Sequence, residues 1–454
     1  MNTELTIIGG GLAGCEAAFQ AAERGIDVLL YEMRPESTTP AHKTDKLAEL
    51  VCSNSLGSLL PDRASGLLMD ELSRCNSLLL KVARISAVPS GSSLSVDREA
   101  FSKGIEEALK NHPRITTIRK EVKQIPDGPV IIASGPLTSP GLASSIANFT
   151  GKDNLFFFDA LAPIIRKESI DMSIAFSASR FAWEKNETAD YINCPLNREE
   201  FERFVNELTK AERIPLTGDE VNINHGVKAS KGVFFEGCLP IEEIARRGTR
   251  TLCFGPMRPI GLRNPHKEQK PYAVLQLRQD NLSATLYNMV GFQTNLTFAE
   301  QKRVFRMIPG LEKAEFERFG QMHRNTFISS PDVLLPSLQT RLRPDLFFAG
   351  QITGVEGYLG NIASGLLAGI NAANYLNNKD LVIFPKGTML GALCRYITEC
   401  PSSNFQPMKA NFGLLPELED RFVMRLERAS RYVTRAKAVM DDFMANIMLF
   451  SGGT

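Results

Sequence analysis

Leu5-Thr6-Ile7-Ile8-Gly9-Gly10-Gly11-Leu12-Ala13-Gly14 is the stretch on which the fold turns. Its apolar start reads as a buried strand. Gly9, Gly11 and Gly14 then satisfy Gly-x-Gly-x-x-Gly. The first glycine permits a tight turn, the second lets backbone approach a pyrophosphate, and the third lets helix and strand pack closely. A helix is expected from about Leu12 to Arg24, with Ala13, Ala17, Ala18, Ala21 and Ala22 as a small-residue packing face and Gly25 as its end. Its N-terminus turns partial positive charge on the phosphates. Val28-Leu29-Leu30-Tyr31 reads as the next strand. Glu32, 18 residues beyond Gly14, stands where an acid takes the ribose hydroxyls of an adenosine. A lone glycine fingerprint is weak evidence, but here strand, turn, helix, second strand and acid follow in the required order.

Working outward, Pro129 to Gly135 is a second buried strand closed by small residues. Its end, Ala133-Ser134-Gly135, resembles the second fingerprint of FAD-binding proteins, with Ser134 in place of Thr. Leu346-Phe347-Phe348-Ala349-Gly350 resembles the third, with Gln351 where an Asp commonly stands, and a Gly/Ala-rich helix follows to about Leu376. Between them, from roughly Asp159 to Asn325, mixed strands alternate with charged helices such as Arg198 to Arg213. The expected fold is therefore α/β: a Rossmann-type FAD-binding domain interrupted by a smaller α+β insertion domain. The divisions are expected at 1–160, 161–320 and 321–454. Residues 40–66 read as a long irregular loop, a length that usually marks a functional segment. A second Gly-x-Gly-x-x-Gly is not found, so a nicotinamide cofactor is expected to visit the flavin rather than occupy a domain of its own.

The chain has 454 residues, more than one ordinary core accommodates. Its eight cysteines include no Cys-x-x-Cys pair, so neither a zinc ribbon nor a metal site is expected. No leader and no apolar run of membrane-spanning length is expected, which points to a cytoplasmic protein with reduced thiols. Cys15, Cys75, Cys253 and Cys394 read as small buried hydrophobes. Cys52 and Cys238 lie in loops among Gly, Ser and Asn and stay open to a chemical role. Net charge is only +1, yet residues 246–278 hold eight Lys and Arg against Glu268 alone. Arg425, Arg428, Arg431, Arg435 and Lys437 recur at helical spacing. Each set alone reads as a solvated basic face; together they suit a polyanion.

Several longer blocks share one resemblance. They are Gly9 to Gly14, Tyr31-Glu32-Met33-Arg34-Pro35, Thr39-Pro40-Ala41-His42, Glu49-Leu50-Val51-Cys52-Ser53-Asn54-Ser55 and Phe235-Glu236-Gly237-Cys238. Tyr272 to Asn281, Met322-His323-Arg324-Asn325 and Phe348 to Tyr358 continue it. From about residue 4 to about residue 430 the chain resembles the bacterial folate- and FAD-dependent tRNA uracil-5-methyltransferases. The resemblance implies methylation of uridine C5 in the T-loop of tRNA. The carbon comes from 5,10-methylenetetrahydrofolate, reduced FAD is carrier and reductant, and NADPH or NADH restores the flavin. Uracil C5 becomes nucleophilic once a thiolate adds to C6. The resemblance gives that role to Cys238. It sets Cys52 beside the flavin to guard or shuttle the one-carbon unit, and stacks His323 on the folate pterin. Gly9, Gly10, Gly11, Leu12, Ala13, Gly14, Glu32, Gly135, Gly350 and Gln351 complete the expected cofactor contacts. Glu356 is a candidate for the base that removes the C5 proton.

One departure stands out: where the family usually reads Val-Glu-Ser after Gly357-Tyr358, this chain reads Leu359-Gly360-Asn361. Some relatives of the family act on ribosomal RNA, which leaves the same chemistry on that RNA as an alternative. A paralogous flavoprotein family modifies the tRNA wobble uridine with a partner GTPase. It shares the start through Ala18, but the Cys238 block sets this chain apart from it. An ordinary small-molecule flavin oxidoreductase would need neither the basic segment nor two loop cysteines.

Overall fold

The computed structural model describes residues 4–39, 41–181, 189–215, 239–419 and 425–451. The opening stretch forms the centre of a five-stranded sheet. Its order is Leu346–Phe348, Val130–Ile132, Glu4–Ile8, Asp27–Glu32, Ile115–Arg119, and every pairing is parallel. Ile7 lies between Leu30 and Ile131, and all three are fully buried, as expected of a parallel sheet covered on both faces. The helix Leu12–Ala22 packs against Tyr358–Leu376. That crossing is close because Gly365 and Gly369 have no side chains. A Cβ on Gly365 would lie 2.3 Å from the carbonyl oxygen of Ala13, and one on Gly369 2.5 Å from that of Ala17. The alanine face read from the sequence thus meets two glycines more than 340 residues away.

A second sheet of six strands is antiparallel throughout. Its order is Phe176–Ser177, Tyr191–Leu196, Ala273–Gln279, Leu286–Met289, Ile164–Arg166, Phe316–Arg318. The helix Arg198–Lys210 starts on an Asn197–Glu200 capping box, which satisfies two otherwise orphaned backbone N–H groups. It buries Phe201 and Phe204 beside Phe292 and Phe305, giving this sheet its own core. An antiparallel ribbon of Leu155–Ala160 and Met322–Phe327 carries the chain out of the first body and back, and pairs His323 with Asp159. The chain ends in the helix Arg425–Ser451.

Residues 40–66 are not wholly irregular, contrary to expectation. Ser55–Ser58 is a strand of a small antiparallel sheet with Ser93–Val96 and Ala87–Val88, and a helix begins at Ala64. Its partner strand lies more than 30 residues downstream, so local sequence could not announce the pairing. Among the described residues no helix is long and apolar enough to cross a membrane.

Candidate functional site

The glycine turn does three separate jobs. Gly9 has φ +109°, and a Cβ there would lie 2.4 Å from the carbonyl oxygen of Ala133. A Cβ on Gly14 would lie 1.9 Å from the carbonyl oxygen of Gly9, so helix and turn could not close. A Cβ on Gly11 meets nothing within 4 Å. Gly135, φ +70°, is likewise open. Gly9 to Ala13, Glu32, Gly135, Gly350 and Gln351 all line one cleft along the carboxyl ends of the parallel strands. Gly14 is buried beneath the turn and serves packing. The open volume over Gly11, at a helix N-terminus whose first turn carries no acid, fits a pyrophosphate.

Glu32 is buried and already engaged. Its Oε2 accepts from the Gly10 N–H at 3.1 Å, and Oε1 accepts from Arg34 Nε at 2.8 Å and Arg34 N at 3.0 Å. Burial works against its charge, but the Arg34 hydrogen bonds prevail and hold the carboxyl below its ordinary value. Arg34 also reaches Glu49 at 3.0 Å, tying the ribose end of the cleft to the loop that carries Cys52.

The cleft continues, through Val51, Pro136, Leu137, Gln351, Tyr358 and Asn361, into a chamber that holds Cys52, Asp159, His323, Glu356 and Lys409. Burial pushes the Cys52 thiol up to about 12; Asp159 adds to this and Arg98 opposes it. Cys52 is therefore a thiol, not a standing thiolate, at neutral pH. Burial and then Arg318 lower His323 to about 4, so its ring is neutral there. Among the described residues His323 Nε2 is buried without a hydrogen-bond partner, a polar atom poised for a ligand. Burial, then Asp159, raises Glu356 to about 8, and its Oε1 accepts from Gln351 Nε2 at 2.7 Å. A carboxyl that is neutral at pH 7 holds a proton; as the base suggested by the sequence it would start in the wrong state.

Side chains to which the sequence assigned no role hold the Cys52 loop. Tyr358 Oη accepts from the Cys52 N–H and donates to the Ser53 carbonyl, both at 2.9 Å. Arg98 donates to the carbonyls of Leu50 and Cys52 and pairs with Asp280 at 3.1 Å. Buried Asn54 donates to Val96 and Gln279 carbonyls and accepts from Arg278 Nε at 3.0 Å. Arg98, Asn54 and Tyr358 belong to distant segments, so only the fold shows that they meet. The Leu359-Gly360-Asn361 departure has a packing explanation: a Cβ on Gly360 would lie 2.5 Å from Val355 Cγ1. Asn361 Nδ2 bonds the Gly357 carbonyl at 2.8 Å in the first turn of the helix.

Cys238 and its block lie outside the described residues. Cys15, Cys253 and Cys394 are buried as expected, while Cys75 is half-buried. The basic segment does not act as one surface. Arg278 is buried against Asn54, and Arg246 is 3.1 Å from Glu243. Arg250, Lys267 and Lys270 instead line a separate pocket on the second sheet's module. In the C-terminal helix, Arg431 pairs with Glu427, Lys437 lies 3.6 Å from Asp70, and Arg435 bonds the Glu417 carbonyl.

A parallel-sheet dinucleotide fold with a chamber at the end of its cleft defines a flavoprotein. The family model described as glucose inhibited division protein A matches residues 4–380. The chain is 53% identical to the methylenetetrahydrofolate–tRNA-(uracil-5-)-methyltransferase TrmFO of Natranaerobius thermophilus, over 97% of this chain and 99% of that one. It is 52% identical to the protein of that name from Listeria monocytogenes serotype 4b, over 96% and 98%. A solved structure of Aquifex aeolicus GidA superposes with a TM-score of 0.67 at 17% identity, covering 97% of this chain and 73% of that one, and shares its fold. The chain belongs to the methylenetetrahydrofolate–tRNA-(uracil-5-)-methyltransferase family.

Proposed function

We propose that this protein methylates uridine C5 in the T-loop of tRNA, with 5,10-methylenetetrahydrofolate as the carbon donor. The observation that carries the reading is the continuity of the glycine cleft with the Cys52–His323 chamber, in a chain of this family. Reduced FAD supplies carriage of the one-carbon unit and its electrons, and NADPH or NADH restores it. Gly11 and Gly135 leave room for the cofactor, Leu12 and Ala13 present backbone N–H groups to its phosphates, and Glu32, Gly350 and Gln351 flank it. His323, neutral at pH 7, offers a flat face and one free ring nitrogen to a pterin. Cys238 adds to uracil C6 as thiolate, which makes C5 nucleophilic. Cys52, held as a thiol by burial, shields the chamber. Glu356 holds a proton beside the reacting groups. The division at 160/161 and 320/321, next to the two ribbon strands, is part of this reading, as is a cytoplasmic setting.

Incubation with unmodified tRNA, methylenetetrahydrofolate and NADPH, followed by nucleoside analysis, is expected to yield 5-methyluridine. Its absence would overturn the reading. RNA carrying 5-fluorouridine, which blocks loss of the C5 substituent, is expected to trap the parent protein covalently and not Cys238→Ala. Trapping by Cys238→Ala but not by Cys52→Ala would exchange the two assignments.

A further inference from the structure

A pocket outside the flavin cleft, of about 1090 Å³, lies on the module of the six-stranded sheet and shares no lining residue with that cleft. Arg203, Arg250, Lys267 and Lys270 line it, and each is exposed or half-exposed. Among the described residues none of the four has an acidic partner. The lining holds two carboxylates, Glu200 and Glu312, against six cations, the four above with Arg198 and Arg306. The pocket therefore presents a net positive face in a chain whose net charge is only +1. It also presents apolar surface. Phe254 is 75% exposed, with the Arg250 guanidinium 5.8 Å from its ring centre.

A ring left in water beside unpaired cations is the combination that binds unpaired nucleotides. Bases stack on the aromatic face while the cations follow the phosphates. A duplex backbone would use the cations and leave Phe254 idle, and a simple anion would have no use for the ring. We infer that this pocket is a second RNA contact, separate from the methyl-transfer chamber, in which Phe254 stacks an unpaired base and Arg203, Arg250, Lys267 and Lys270 hold its flanking phosphates. The inference rests on the proposed tRNA reading and adds where the RNA is gripped away from the target uridine.

The test measures binding of unmodified tRNA across a salt series to the FAD-loaded parent, Phe254→Ala and the double variant Lys267→Ala, Lys270→Ala. FAD content and NADPH-driven flavin reduction serve as controls, and all three proteins should match in both. Phe254→Ala is expected to weaken binding on the order of tenfold with little change in salt slope. The double lysine variant is expected to flatten the log–log slope by about 1–2 units. Affinity and slope equal to the parent's in both variants would overturn the inference, even where the parent methylates tRNA. A raised KM for NADPH or the folate with RNA binding unchanged would also overturn it, assigning the pocket to a small anion. A parent that fails to methylate tRNA refutes the proposed reaction, a result read separately from these affinities.

Discussion

A Cβ on Gly11 enters open space, and a Cβ on Gly14 enters the carbonyl oxygen of Gly9. The two substitutions should therefore fail differently. Gly11→Val is expected to purify folded but colourless, with a circular dichroism spectrum like the parent's and no bound flavin. Gly14→Val is expected to be lost to aggregation. A yellow Gly11→Val protein would show that the pyrophosphate lies elsewhere. His323 gives a pH prediction. Its folded value of about 4 lies below the free imidazole's 6.5, so the unfolded chain binds more protons between those pH values. Its contribution to stability is complete above pH 6.5 and is lost as the pH falls through that window. Glu356 runs the other way, adding cost as the pH rises from its ordinary value towards about 8. In flavin-free protein, His323→Asn should lessen the fall in urea midpoint between pH 6.5 and 4. An identical fall in both proteins would refute the assignment.

At the scale of elements, the loop of Cys52 is held from two sides. The helix Arg98–Lys110 supplies Arg98, and Asp97 at its start accepts from Ala100 N at 2.8 Å and Leu282 N at 2.7 Å. One helix terminus thus fastens the Cys52 loop and the end of the six-stranded sheet's strand Ala273–Gln279 together. Arg98→Met would leave Asp280, 4% exposed, without its partner. Breaking such a pair costs about 3–5 kcal/mol when fully buried, and less here because Arg98 is partly solvated. Arg98→Met with Asp280→Leu should recover part of the stability, since Asp280 is no longer left buried without Arg98, while Arg278 keeps only its bond to Asn54. Neither variant would restore the bond to the Cys52 carbonyl, so amide hydrogen exchange across residues 50–53 should be faster than in the parent for both. Equal exchange rates would show that Tyr358 alone holds the loop.

At the scale of the whole molecule, the flavin cleft draws its walls from residues 8–142 and from 350–361. A ligand bound there clasps the two ends of the sheet's chain path. FAD at 100 times its dissociation constant should stabilise the apoprotein by about 2.7 kcal/mol. FMN, which lacks the adenosine half that Glu32 and the glycine turn serve, should give no comparable shift. Urea unfolding of stripped protein with each flavin checks this, and equal stabilisation by FMN would remove the dinucleotide assignment.

The nucleotide turn was legible from Leu5 to Glu32 because its demands are local. Positive φ at Gly9, absent side chains at Gly11 and Gly14, and alternating strand and helix periodicity are written in consecutive residues. The six-stranded module was legible only as a change of pattern, and the strand Ser55–Ser58 not at all, since its partner is distant in sequence. The chamber was legible as residues but not as chemistry. Cys52, Asp159, His323 and Glu356 come from segments up to about 300 residues apart, and their protonation follows from burial and from neighbours that only the fold supplies. The same holds for charge. Arg278 and Lys270 look alike in one basic run, yet one is buried against Asn54 and the other faces an open pocket. Backbone geometry is set by a residue and its immediate neighbours, whereas desolvation and Coulomb interaction sum over everything packed around it.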